Sequence, residues 1–450
     1  MNNQDISLQA HLKSLACGDS DYWSFRRKAV REHSHGYFQY PAMMVPQMQR
    51  SLIEAAQKHQ SGIEWIFDPF AGSGTILTEA LMLGLNFAGY DINPLAILSC
   101  RAKSGPFRSR ELKTRYSILL DTLQKDKSIK IEAEFPGLEK WFNRQVYLEI
   151  SRINRAIRSE DVQWVRRFFW IALAETIRLS SNSRTSTFKL HIRSKKDILE
   201  RNISPISLFK EILKNNIKRI HSQENILRQK GYIEKGRYIG KIDVRLKNAA
   251  SIPVCSSQGK YDLLVTSPPY GDNVTTVPYG QYSYLPLQWI DFKDIARNAD
   301  KRCLITTHAI DIQSLGGSRK LVNKWEQELS DLSLAFGNFI KSLKGDERAK
   351  KVTAFCRDLY RCLKPILSSL KPNSYMFWTL GNRRVAGKVV PLDNILRDFL
   401  ESSGSVFVDK IDRIIPSKRM AVKNSIADTM KSETVLIMRK AGDNGKKQKN

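Results

Sequence analysis

Residues 63–93, "IEWIFDPFAGSGTILTEALMLGLNFAGYDIN", admit few folds. An apolar run (63–70) reads as a buried strand. It breaks at a glycine pair and gives way to "ILTEALMLGL", whose apolar spacing suits a helix packed on a sheet. "NFAGYDI" (86–92) reads as a second strand, and "NPLAILSCRAK" opens a second helix with Pro94 in its first turn. Further strands are predicted at 241–246, 261–267, 374–382, 405–412 and 433–440. Strands alternating with helices predict an α/β fold with a doubly wound, mostly parallel sheet. Two long, mainly helical insertions interrupt the rhythm, at about 105–240 and 271–365. In doubly wound sheets, insertions at the carboxyl ends of strands stand beside the ligand crevice.

The first turn carries chemistry. Gly72 and Gly74 let the backbone turn tightly and approach a ligand, with the N–H groups of the following helix aimed at it. Asp91 follows at the end of the second strand, where a carboxylate can accept hydrogen bonds from two ribose hydroxyls. A dinucleotide is disfavoured because Leu77 stands where G-x-G-x-x-G needs its third glycine. A phosphate loop of the Gly-Lys-Ser/Thr kind is disfavoured because no such triplet follows.

The second feature is "LLVTSPPYGD" (263–272), an apolar strand that ends in a hydroxyl pair, two prolines and an aromatic ring. Proline brings no N–H to a sheet, and its φ is locked. The corner is therefore rigid and offers acceptors rather than donors. Ser267 lacks a G-x-S-x-G frame and an evident His/Asp partner, which excludes a hydrolase nucleophile of that type.

The chain of 450 residues carries 73 Lys+Arg against 45 Asp+Glu, a net charge of +28, and so fits a polyanionic partner. The excess is concentrated: residues 141–240 hold 21 basic and 9 acidic residues. Within them "RLSSNSRTSTFKLHIRSKK" (178–196) mixes cations with Ser, Thr and Asn, donors suited to phosphate oxygens. Arg178, Arg184, Lys189, His191 and Arg193 are the candidate backbone contacts. The preceding helix, "WVRRFFWIALAETIRL", is expected to dock this insertion onto the core. No apolar run approaches the ~20 residues of a membrane span, and the amino terminus lacks a signal-peptide plan. Six scattered cysteines without a CxxC pair argue against zinc and a disulfide framework, and no metal is expected. A cytoplasmic protein is expected.

Together "DPFAGSGT…GYDINP" and "TSPPY" resemble the cofactor and catalytic motifs of S-adenosylmethionine-dependent DNA amino-methyltransferases. The catalytic motif of that family is Asp/Asn/Ser-Pro-Pro-aromatic. The serine form is typical of cytosine-N4 enzymes, the Asp and Asn forms of adenine-N6 enzymes. The resemblance implies S-adenosylmethionine as cofactor and duplex DNA as substrate, in a methyltransferase-type sheet. It places Asp68, Gly72 and Gly74 at the methionine part and Asp91 at the ribose, with Phe70, Thr75, Ile92 and Asn93 in the same two loops. "YPAMMVP" (40–46) resembles the segment holding the methionine end, which adds Tyr40 and Pro41. Where the family often carries an acid for the adenine, this chain has Asn248. "WTLGNRRVAGKVVPL" (378–392) resembles a stretch of the cytosine-N4 group. The cofactor loop precedes the catalytic corner, unlike the order common in that group.

On this resemblance Ser267, Pro268, Pro269 and Tyr270 are the catalytic corner. Ser267 and the carbonyl of Pro268 would accept the hydrogens of an exocyclic amine, and Tyr270 would stack on a base rotated out of the duplex. Tyr279, Gln281 and Tyr282 are candidates to meet the flipped base or its orphaned partner. The chain then divides into an N-terminal segment with the cofactor half (1–104), a basic recognition insertion (105–240), a catalytic half (241–440) and a disordered tail (441–450). Cytosine-N4 methylation of DNA is expected, within restriction–modification and beside a separately encoded endonuclease. Adenine-N6 methylation of DNA, guanine-N2 methylation of RNA and a vestigial nucleic-acid-binding protein remain as rivals.

Overall fold

The computed structural model describes residues 1–19, 21–25, 31–254, 259–273, 275–415 and 432–442. Most of the tail expected to be disordered, from residue 443 on, lies outside them. Seven strands form the main sheet: β1 (Trp65–Asp68), β2 (Asn86–Asp91), β3 (Ile242–Leu246), β4 (Tyr261–Thr266), β5 (Leu370–Leu380), β6 (Ser405–Ile414) and β7 (Ser432–Lys440). Their order is β3-β2-β1-β4-β5-β7-β6, and β7 alone runs antiparallel to its neighbours. The fold is the expected doubly wound, mostly parallel α/β sheet.

Side chains that alternate along a strand go to opposite faces, and here both faces are buried. Ile66, Leu263, Val265 and Phe377 join one apolar cluster, while Phe67, Leu264, Met376 and Trp378 join the other. A parallel sheet covered on both sides reads as a continuous apolar run, and this is why the strands were legible. The first face is covered by α1 (Asn3–Leu15), α2 (Pro46–His59), α3 (Thr75–Met82) and α4 (Pro94–Lys103). With them go the helices of the first insertion, among them α5 (Arg144–Arg158), α6 (Gln163–Ser180) and α7 (Pro205–Gln229), and also α8 (Tyr279–Trp289). The second face is covered by α9 (Val322–Leu332), α10 (Leu334–Ser342), α11 (Arg348–Ser369) and α12 (Leu392–Ser402).

The first insertion shares the core of the sheet. In α6, Phe168, Phe169 and Trp170 are buried. The Trp170 indole N–H donates to Asp294 at 2.8 Å, and Arg166 pairs with the same carboxylate at 2.8 Å. Within the second insertion α11 runs through Pro365 to Ser369. Its buried face (Leu359, Cys362, Leu363 and Ile366) outweighs the single helical hydrogen bond that proline removes.

Trp170→Ala should destabilise the fold by about 3–5 kcal/mol, the usual loss for a fully buried indole. Chemical denaturation followed by circular dichroism would measure it, and a loss under 1 kcal/mol would contradict the packing described.

Candidate active site

The chain leaves β1 at Asp68 and turns through residues 69–74, where Gly72 (φ +49°) and Gly74 (φ +80°) adopt left-handed backbone. A Cβ on Gly74 would stand 3.0 Å from the Cys100 sulfur, so this position is closed to larger residues. The turn is clamped by Asp91 at the end of β2. One of its oxygens accepts from the Gly72 N–H at 2.9 Å, the other from the Asn93 N–H at 2.8 Å. Each oxygen keeps lone pairs for a ligand hydroxyl, and burial pushes the carboxyl up to about 6. Asn93 is a strut: it caps α4 through the Leu95 N–H and donates to the Tyr40 hydroxyl and to Ser283. Tyr40 in turn stacks on Tyr279, with ring centroids 5.7 Å apart.

These loops wall a cleft of about 850 Å³, its open mouth included. Of the sequence-predicted residues, Tyr40, Pro41, Phe70, Gly72, Thr75, Asp91, Ile92, Asn93 and Asn248 line it, as do Ser267 and Pro269 of the Pro-Pro corner. Met43 and Met44 of the "YPAMMVP" segment line it too, and Ile310 and Leu315, which sequence reasoning missed, complete an apolar wall. The last two come from the second insertion, some 240 residues from the glycine loop, with no local signal to mark them.

Asp68 and Gly74 stand behind the lining. Asp68 is fully buried; its Oδ1 accepts from the Thr266 hydroxyl at 2.6 Å and from the Phe70 N–H at 3.1 Å. Its Oδ2 has no partner, and burial pushes the carboxyl up to about 7. A buried carboxylate without a cation is unfavourable, so the site suits a ligand that brings a positive group there. The apolar wall, the ribose-ready Asp91 and this orphaned oxygen fit S-adenosylmethionine, which carries an adenosine, an ammonium and a sulfonium.

At the corner, the Ser267 hydroxyl donates to the Tyr270 hydroxyl at 3.2 Å, and the latter donates to Glu433 at 3.3 Å. Arg413, opposite Glu433 across the β6–β7 pair, holds its other oxygen at 2.9 and 2.5 Å. Neither Glu433 nor Arg413 was singled out in the sequence, because strands reveal their cross-strand partners only once paired. Arg383, in the "WTLGNRR" stretch, binds Asp272 at 3.1 Å and Thr275 at 3.0 Å, so it holds the loop after the corner. Asp311 accepts the Gly280 and Gln281 N–H groups at the start of α8.

The DNA candidates separate. Tyr279 faces the cofactor cleft, stacked on Tyr40. Tyr282 is buried among Phe38, Tyr40 and Phe188, and its hydroxyl donates to the Gln39 carbonyl. Gln281 accepts from the Leu190 N–H and contacts His308, bridging the two insertions. Arg178 is paired with Glu175 at 2.6 Å and largely buried. Gln281, Tyr282 and Arg178 thus each have partners within the protein. Arg184 and His191 are exposed, and Lys189 and Arg193 partly so.

A second, basic hollow went unread in the sequence. Arg101, Arg167, Arg245, Lys247, Lys293 and Arg297 surround it, and Lys247 also lines the cofactor cleft. Burial, and then the charge of neighbouring Arg101, push Arg167 down to about 10. Cations gathered this way favour an anionic partner. Among the described residues no cluster of His, Cys, Asp or Glu is placed to hold a metal, and no helix is long and apolar enough to cross a membrane.

A cofactor cleft at the carboxyl ends of β1 and β2, opening beside a Ser-Pro-Pro corner at the end of β4, defines an amino-methyltransferase. Comparison with known proteins agrees. A family model described as DNA methylase matches residues 14–99. The type II methyltransferase M.MvaI of Kocuria varians is 32% identical over 98% of each chain. M.BsoBI of Geobacillus stearothermophilus, of the same type, is 22% identical over 85% of this chain and 81% of its own. M.MjaII of Methanocaldococcus jannaschii, also of that type, is 34% identical over 22% of this chain and 18% of its own. Among solved structures, an rRNA methyltransferase from Streptomyces viridochromogenes covers 95% of this chain and 92% of its own at 10% identity, but its TM-score of 0.33 is too low to bear on the fold. The chain belongs to the DNA amino-methyltransferase family.

The buried Asp68 gives a prediction for the protein without cofactor. Its folded-state pKa is raised, so the folded protein keeps this proton where the unfolded chain has lost it. Stability relative to Asp68→Asn should therefore fall as pH rises from about 4 to about 7, by up to about 1.4 kcal/mol per unit. Urea unfolding of both proteins across that range would measure it; a pH-independent difference would contradict the burial of an unpaired carboxyl.

Proposed function

We propose that this enzyme methylates the exocyclic N4 of cytosine in duplex DNA, at one short sequence. The observation that carries the reading is the placement of Ser267 and Pro269 in the same cleft as Asp91 and the glycine loop. A serine, with no carboxylate of its own, stands where adenine-N6 enzymes of this family carry Asp or Asn.

Asp68 would meet the cofactor's ammonium, Gly72 and Gly74 would admit its methionine part, Asp91 would bind the ribose and Asn248 the adenine edge. When bound, S-adenosylmethionine supplies a methyl carbon on a positively charged sulfur, which keeps the electron pair of the broken C–S bond. The cytosine amine is a weak nucleophile because its lone pair is delocalised into the ring. Ser267 Oγ and the Pro268 carbonyl accept its two hydrogens and favour a tetrahedral nitrogen, whose lone pair forms the new N–C bond. One proton then leaves the nitrogen for solvent water. The prolines fix the carbonyl's direction, and the step is dominated by positioning. The base must leave the duplex to reach the corner, with the face of Tyr270 as its stacking surface.

Residues 105–240 serve as the recognition region. Arg184, Lys189, His191, Arg193 and the basic hollow contact phosphates. The type II names of the relatives support a protective part in restriction–modification, with a separately encoded endonuclease as partner and the cytoplasm of a bacterium or archaeon as location.

Nucleoside mass spectrometry on DNA from a methylation-deficient host making this protein should detect N4-methylcytosine. N6-methyladenine would overturn the choice of base and leave DNA amino-methylation standing. Ser267→Ala should lower methyl transfer by about 100-fold or more with cofactor affinity near normal, whereas Asp91→Ala should weaken cofactor binding in calorimetry. Removing Arg184 and Lys189 together should reduce the slope of log affinity for DNA against log salt by about 2.

A further inference from the structure

A serine hydroxyl at the corner poses a problem that a carboxylate or amide oxygen does not. It carries its own proton and can donate as readily as accept. To favour nucleophilic nitrogen it must accept, so its proton has to be directed elsewhere. The structure provides an outlet. Ser267 Oγ donates to the Tyr270 hydroxyl at 3.2 Å, Tyr270 donates to Glu433 Oε1 at 3.3 Å, and Arg413 clamps Glu433 Oε2 at 2.9 and 2.5 Å. An ionised carboxylate is acceptor only, so the chain has one polarity. Glu433 accepts the hydrogen bond of the Tyr270 hydroxyl, the Tyr270 oxygen accepts that of Ser267, and the Ser267 lone pairs remain available to the cleft that this residue lines. Burial, reinforced by the Glu433 charge, raises the Tyr270 hydroxyl well above its ordinary range, so it stays protonated and donates.

We propose that Glu433, oriented by Arg413, is a positioning residue that sets the direction of the Ser267–Tyr270 hydroxyl chain and so makes Ser267 an acceptor toward the target amine. This rests on the reading that Ser267 meets that amine. Two strands far from the corner in sequence thereby supply the negative charge that the serine form of the motif lacks. The Arg413–Glu433 pair spans β6 and β7 at the end where the chain leaves one strand and re-enters the other, so the clamp is anchored in the sheet.

The test is single-turnover transfer of tritiated methyl to unmethylated plasmid DNA by full-length Glu433→Gln, Tyr270→Phe, the double variant and Ser267→Ala. Glutamine keeps the shape but can donate from its amide, so the chain loses its fixed polarity. Glu433→Gln should slow transfer by about tenfold or more, with cofactor and DNA dissociation constants and melting temperature close to wild type. Tyr270→Phe keeps the ring and cuts the chain, so the double variant should be no slower than Tyr270→Phe alone. Losses that multiply would mean that Glu433 acts independently of Tyr270, and would overturn the proposal. So would wild-type transfer by either single variant, and Tyr270→Phe decides the matter even if Glu433→Gln fails to fold. Wild-type transfer by Ser267→Ala would instead sink the reading of the corner on which the relay rests.

Discussion

The 2.6 Å hydrogen bond from Thr266 to Asp68 joins the ends of β1 and β4, and through them the cofactor loop and the catalytic corner. Both partners are fully buried, so water does not compete for the bond. The parallel register, Phe67 opposite Leu264, brings the two strand ends to the same level. On the other side of β1, Asp91 clamps the Gly72 N–H. Two carboxylates at adjacent strand ends thus set the cleft's shape. Burial raises both, to about 7 and about 6, a loss of stability that binding of a cation and two hydroxyls would offset. Strain of this kind, held by a rigid scaffold, is common where a site is built for a ligand.

The insertions pack into the same core as the sheet. The first reaches the corner region through α6, fixed to Asp294 by Trp170 and Arg166, and through the Leu190–Gln281 hydrogen bond. The second contributes Ile310 and Leu315 to the cleft and Asp311 to the start of α8. An insertion tied to the active-site side of the sheet through buried side chains holds its surface in a fixed relation to the cofactor cleft. Transfer dominated by positioning depends on such a relation.

The excess of positive charge divides by partner. Arg439 pairs with Asp5 at 2.7 Å, Arg166 with Asp294 and Arg178 with Glu175, all on largely buried carboxylates. These cations hold elements together. Arg184 stays exposed, and Arg167, Lys247 and Lys293 gather around a hollow beside the cofactor cleft. The second group carries the field that would draw a polyanion, and the total charge of the chain cannot tell one group from the other.

The sheet and the two motif loops were legible because their signals are local. Both faces of the sheet are apolar, so each strand is a run of consecutive hydrophobic residues. Gly72, Gly74 and the proline pair are backbone requirements of single turns. Asp91 belongs to a unit some twenty residues long. Contacts across the sheet or between insertions leave no such trace. Tyr282 and Gln281 have the composition of base-contacting residues, and nothing near them in sequence marks Phe38, Phe188 and the Leu190 N–H as their partners. The sequence by itself determined the order of elements, the cofactor loop and the acceptor-rich corner, since each depends on neighbouring residues alone. Only the tertiary structure decided that Glu433 and Arg413 stand behind Tyr270, that Asp68 grips Thr266 and which arginines remain free, because pairing across long separations is settled by burial and geometry.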